Sequence, residues 1–103
     1  MNEATLQSLI AQNRNEIRWF HGYVEAFLLE AKAQKLAGFD ITAGTCRKLA
    51  EQYTNKIAIR VANQKALKSE LNKVYRAEKA IKAIEVLLEE MGRFSKMFEV
   101  ENG

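Results

Sequence analysis

The sequence predicts an all-α fold, an antiparallel helical hairpin or three-helix bundle with coiled-coil-like packing. Three observations predict it. The 103 residues contain no proline, with 48% hydrophobic and 28% charged residues, a balance that suits packed helices and not a disordered chain. Apolar residues recur at alternating steps of three and four, the spacing of a helix seam. Turn chemistry is concentrated in one stretch, Leu-Ala-Gly-Phe-Asp-Ile-Thr-Ala-Gly-Thr at 36–45, so a long helical pattern lies on either side of one turn.

The first helix is expected over about 4–37, with Asn2 or Thr5 as its N-cap. Its seam runs Leu6, Ile10, Asn13, Ile17, Phe20, Val24, Phe27, Ala31, and Leu9 and Leu28 are expected to widen it. Asn13 is the polar member. A buried Asn in such a seam fixes register at a cost in stability. Gly22 lies inside the helix, where it costs about 1 kcal/mol relative to Ala and would admit a close neighbour.

Gly38 suits the end of this helix, because glycine takes φ > 0 without a Cβ clash. Asp40 and Thr42 are candidate caps for the next helix. After the turn, Leu49, Tyr53, Ile57 and Val61 recur at steps of four. Leu67, Leu71, Val74, Ile81, Ile84, Leu88 and Met91 follow at mixed steps. At about 100° per residue the two sets face different ways. A break or bend is therefore expected near 62–66, giving helices of about 43–62 and 66–92. The alternative is one continuous second arm whose open face a second copy of the chain covers, as a homodimer. Gly92 is expected to end or loosen the last helix, and the apolar tail 93–99 to fold back. The whole chain reads as a single helical domain.

Charge is unevenly placed. Residues 45–82 hold ten Lys/Arg and three Asp/Glu, a net of +7, while 1–44 carry −1 and 83–103 carry −3. A basic middle suits an anionic partner or the acidic ends of a neighbouring chain. In one helix Arg47, Lys65, Lys68, Arg76 and Lys79 project to one side, a stripe able to track a phosphate backbone. Leu-Ala-Glu-Gln-Tyr at 49–53 is similar to the first half of a helix-turn-helix of the winged-helix bacterial repressors. The residues that follow, Thr54, Asn55 and Lys56, lack that family's turn glycine, and no functional residue is carried over.

The aromatic centre is 19–27. Trp19 falls outside the heptad seam with Tyr23 on its flank, and Trp and Tyr are enriched at interface hot spots. In a three-helix bundle Trp19 would instead be core. Phe94, Met97 and Phe98 pose the same choice between a docked tail and a partner-binding patch.

Catalysis is not expected. His21 is the only histidine and Cys46 the only cysteine, with no local nucleophile–base motif. The Glu-x-x-His spacing of helical di-iron sites is absent, and no phosphate-binding glycine loop is present. No metal or cofactor is expected. One cysteine forms no intrachain disulfide. With no secretory signal and no apolar run of about 20 residues, no membrane association and a cytoplasmic location are expected. The expected role is non-catalytic protein binding, as a regulator, adaptor or inhibitor of a larger machine. The alternative is a nucleic-acid-binding regulator using the stripe within 47–79.

Overall fold

The computed structural model describes residues 2–102, with side chains described for 2–97. Two helices account for it: α1, Glu3–Leu36, and α2, Asp40–Asn102. They pack antiparallel as a hairpin in a rod with extents of 98 × 15 × 14 Å. The three-helix bundle is not formed. Nor is there a break near 62–66, a stop at Gly92 or a folded-back tail: α2 runs through all of them.

The boundaries of α1 and the start of α2 have local causes. Asn2 is the N-cap of α1, its Oδ1 accepting the Thr5 backbone N–H at 2.8 Å. At the other end the Phe39 N–H donates to the Gln34 carbonyl at 2.8 Å and the Gly38 N–H to that of Lys35 at 3.1 Å. This is the Schellman arrangement, and Gly38 has the φ of +87° that it requires. Only three residues then separate the helices, which forces them antiparallel. Asp40 and Thr42 do not cap α2, because the helix already begins at Asp40; in the first turn the Asp40 carboxylate instead complements the positive end of the helix dipole.

The eight α1 seam positions are as the spacing predicts: Leu6, Ile10, Asn13 and Ala31 are buried, and Ile17, Phe20, Val24 and Phe27 half-buried; Leu9 widens the seam, but Leu28 is exposed and does not. The facing seam on α2 is an uninterrupted heptad: Ala43, Cys46, Ala50, Tyr53, Ile57, Arg60, Gln64, Leu67, Leu71, Val74. Two of its members are polar, which accounts for the expected break. Skipping Arg60 and Gln64 brings Val61 into the apolar set, yet Val61 is 51% exposed and lies on the flank of the seam, where it lines a groove with Ile17.

The seam has an aliphatic end, where Leu6 and Ile10 are buried near Leu67, Leu71 and Val74, and three other kinds of contact. Near the turn it is made of small residues, with Ala31, Ala43 and Ala50 all at most 3% exposed. In the middle, the Tyr53 ring lies 5.5 Å from that of Phe20, 5.1 Å from Tyr23 and 5.8 Å from Phe27. Lys56 Nζ sits 4.7 Å above Tyr53, within cation–π range. Further along, Asn13 Nδ2 donates to the Arg60 carbonyl and to Gln64 Oε1, both at 2.8 Å. Gln64 Nε2 donates back to the Ile10 carbonyl at 3.3 Å. Both N–H donors of the buried Asn13 amide are thus satisfied, as burial of a polar group demands. Beside this layer Arg60 Nε lies 3.0 Å from Glu16 Oε2.

The helices differ in length, 34 residues against 63. At about 1.5 Å per residue α1 spans ~51 Å and α2 ~95 Å. The last cross-helix hydrogen bond is Gln7 Nε2 to the Tyr75 hydroxyl at 3.0 Å. From Tyr75 to Met97 every residue of α2 is exposed. Nearly half of α2 therefore extends past its only partner helix.

Candidate functional site

The surface offers two apolar stripes and one basic stripe. The first apolar stripe lies on α1. Trp19, Gly22, Ala26, Leu29, Ala33 and Leu36 recur at steps of three and four, and all are exposed; Trp19 is 66%, Leu29 70% and Leu36 82% accessible. At about 100° per residue this stripe lies ~160° round α1 from the seam. It is a second heptad on a helix whose first heptad is already occupied. Gly22 belongs to it: a Cβ there meets nothing within 4 Å, so α2 does not require the glycine.

Trp19 is therefore not core. It touches only the edge of the aromatic cluster, its ring 6.3 Å from that of Tyr23. Tyr23 is shared, its ring tilted against that of Tyr53 at 5.1 Å while it remains 41% exposed. The sequence reading singled out both residues but missed Leu29 and Leu36. Gly22, Ala26 and Ala33 carry too little apolar weight to mark the stripe, though the 3-4 steps from Trp19 were there to be counted.

The second apolar stripe occupies the overhang of α2. Ala77, Ala80, Ile84, Leu87, Met91 and Phe94 again alternate steps of three and four, with Ile81 and Leu88 alongside. The large members are 54–68% exposed. The seam takes two consecutive steps of three, Leu71 to Val74 to Ala77, so the stripe turns by roughly a quarter of a turn from the face that α1 covers. Met97 is 64% exposed on the flank of this arm. The side chain of Phe98 lies outside the described residues.

The basic residues Arg47, Lys65, Lys68, Arg76 and Lys79 are all exposed on one unbroken helix. Arg47 is about 27 Å from Lys65 at the helical rise, so the other four form the compact part, within ~21 Å. None of these four joins an ion pair among the described residues. The stretch 49–53 lies inside α2 with no turn after it, so it does not begin a helix-turn-helix.

His21 is exposed and Cys46 is buried in the seam. Among the described residues no three His, Cys, Asp or Glu side chains gather in a group able to hold a metal ion. The surface depressions are open grooves flanking the helix pair, one beside Asn13 and Arg60, another beside Leu6 and Leu67. Among the described residues no helix is long and apolar enough to cross a membrane. No protein-family model matches the chain, and neither a curated protein nor a solved structure matches it.

Proposed function

We propose that the protein works by binding another protein, without catalysing a reaction, and that the outer stripe of α1 is the docking surface. The observation that supports this reading is a second exposed heptad on a helix already packed through its first. Its occupant is an amphipathic helix. Steps of three and four match a helix's own ridges, and Gly22, Ala26 and Ala33 leave room for a backbone to approach between Trp19, Leu29 and Leu36. Trp19 is the anchor, with Tyr23 beside it. A regulator, adaptor or inhibitor of a larger assembly needs a surface of this kind.

Site-specific photocrosslinking in cells tests the reading. A crosslinker at Leu29 or Leu36 should yield a discrete adduct that is lost in Trp19→Ala. The same group at Glu51, on an exposed polar face of α2, should not. Equal labelling at all three positions would sink the proposal.

A second reading rests on Lys65, Lys68, Arg76 and Lys79, four exposed cations on one side of a straight helix. Along a nucleic acid they would neutralise phosphates and release counterions, making affinity fall steeply with salt. Titration with a fluorescent DNA duplex at low and near-physiological salt separates the two readings. Binding that survives the higher salt and is lost on charge reversal at Lys68 and Arg76 favours the nucleic acid. Binding that vanishes with modest salt leaves the stripe as a solvated face.

A further inference from the structure

We infer that the overhang of α2 pairs antiparallel with the overhang of a second copy, making a two-fold dimer with a hairpin at each end. The inference stands apart from whatever docks on α1, because it uses a different helix face.

The argument starts from what is uncovered. Ile81, Ile84, Leu87, Leu88 and Met91 are 54–65% exposed along one stripe. A monomeric surface rarely leaves a contiguous apolar strip of this size open. A lone helical arm also gains little from propensity alone; packing of its apolar face supplies most of the stability of helices in proteins. Burying these five side chains would remove on the order of 100 Å² apiece. With Ala77, Ala80 and Phe94, that approaches 600 Å² from each copy, about the 1,200 Å² total at which stable interfaces begin.

The occupant follows from the pattern of sizes. The stripe grows bulkier along its length: Ala77, Ala80, Ile84, Leu87, Met91, Phe94. Paired in parallel with its own copy, it would stack alanine on alanine at one end and phenylalanine on phenylalanine at the other. Paired antiparallel about a point between Glu85 and Val86, it sets Ala77 against Phe94 of the second copy, Ala80 against Met91 and Ile84 against Leu87. The bulk of the layers then varies far less than in the parallel pair, as close packing favours. Ile81 and Leu88 of the two copies meet on one flank, and no like charges are forced into the core.

The overall shape allows the same arrangement. Antiparallel pairing places the two α1 helices at opposite ends. The overhang from Tyr75 to Met97 is about 33 Å long at the helical rise. That leaves each arm room to lie between the N-terminus of its own α1 and that of the other copy. The quarter-turn offset at Val74 lets the incoming arm pass beside α1 without striking its end. The coiled-coil seam between α1 and α2 thus continues, after a change of face, as a seam between α2 and its copy.

Sedimentation equilibrium and disulfide trapping of the full chain test this, in a Cys46→Ala background for the trapping. The expected result is two copies per particle at tens of micromolar protein. Leu87→Glu should raise the dissociation constant by at least about a hundredfold with helicity retained, and Trp19→Glu should leave it unchanged. Ala80→Cys mixed with Met91→Cys should oxidise to a mixed dimer, while neither variant alone crosslinks. A single copy at all concentrations would overturn the inference. So would a dimer broken by Trp19→Glu and not by Leu87→Glu, which would place the contact on α1. Self-crosslinking of Ala80→Cys would overturn it in favour of a parallel pair. None of these results bears on photocrosslinking at Leu29, so the α1 proposal stands or falls separately.

Discussion

The two halves of α2 are the same kind of helix under different circumstances. Residues 43–74 face α1 through small, aromatic and polar layers and, next to Leu6 and Ile10, an aliphatic one. Residues 75–97 carry large aliphatic side chains on most turns, and all of them are exposed. The half that is packed has the weaker-looking apolar pattern, and the half that is open has the stronger one. Hydrophobic content therefore does not mark the intramolecular core here. Partner geometry does, since the reach of α1 sets where packing ends.

Substitutions break this comparison with effects of decreasing size. The largest is expected at Tyr53, whose ring meets those of Phe20, Tyr23 and Phe27. Tyr53→Ala should cost about 3 kcal/mol of hairpin stability. Leu87→Ala, measured by chemical denaturation at dilutions where one copy predominates, should change it by less than about 0.5 kcal/mol. Equal costs would mean that the overhang folds back on the hairpin in solution.

Asn13 comes next. Asn13→Ala removes two hydrogen bonds and leaves the half-buried Gln64 Oε1 without its donor, at a cost of about 2 kcal/mol. Gly38→Ala should cost about 1 kcal/mol, because φ of +87° is unfavourable for any residue with a Cβ. Both are read from the midpoint of urea unfolding with the slope unchanged.

Much of this was legible beforehand. All eight α1 seam positions, the asparagine among them, follow from spacing alone, and Gly38 announced the turn. The α2 seam was harder, because Ala43, Cys46 and Ala50 are too small to stand out and Arg60 and Gln64 are polar. Those two hold their places because Gln64 completes the Asn13 layer and Arg60 lends it a carbonyl, a pairing visible only once both helices are in place. The overhang was open to arithmetic. A three-residue turn makes the arms antiparallel, so a 34-residue helix covers only about as many residues of the next. The basic stripe was seen, but its continuity was lost to the expected break. The outer stripe of α1 was half seen, through its tryptophan.

The finest test of the comparison uses one substitution in both regions. Gly22 and Gly92 are helix-interior glycines, and at each an added Cβ meets nothing within 4 Å. Glycine costs a helix up to about 1 kcal/mol relative to alanine at such positions. Gly22 lies in α1, whose helical state is coupled to the seam. Gly22→Ala should therefore stabilise the whole hairpin by about 0.5–1 kcal/mol. Gly92 lies in the overhang, which opens without disturbing the seam. At dilutions where one copy predominates, Gly92→Ala should slow amide exchange across the neighbouring turns and leave the unfolding midpoint unmoved. A gain in the midpoint from Gly92→Ala would show that the two halves of α2 melt as one unit. A loss from Gly22→Ala would show that something already sits against that glycine, as the proposed partner helix would.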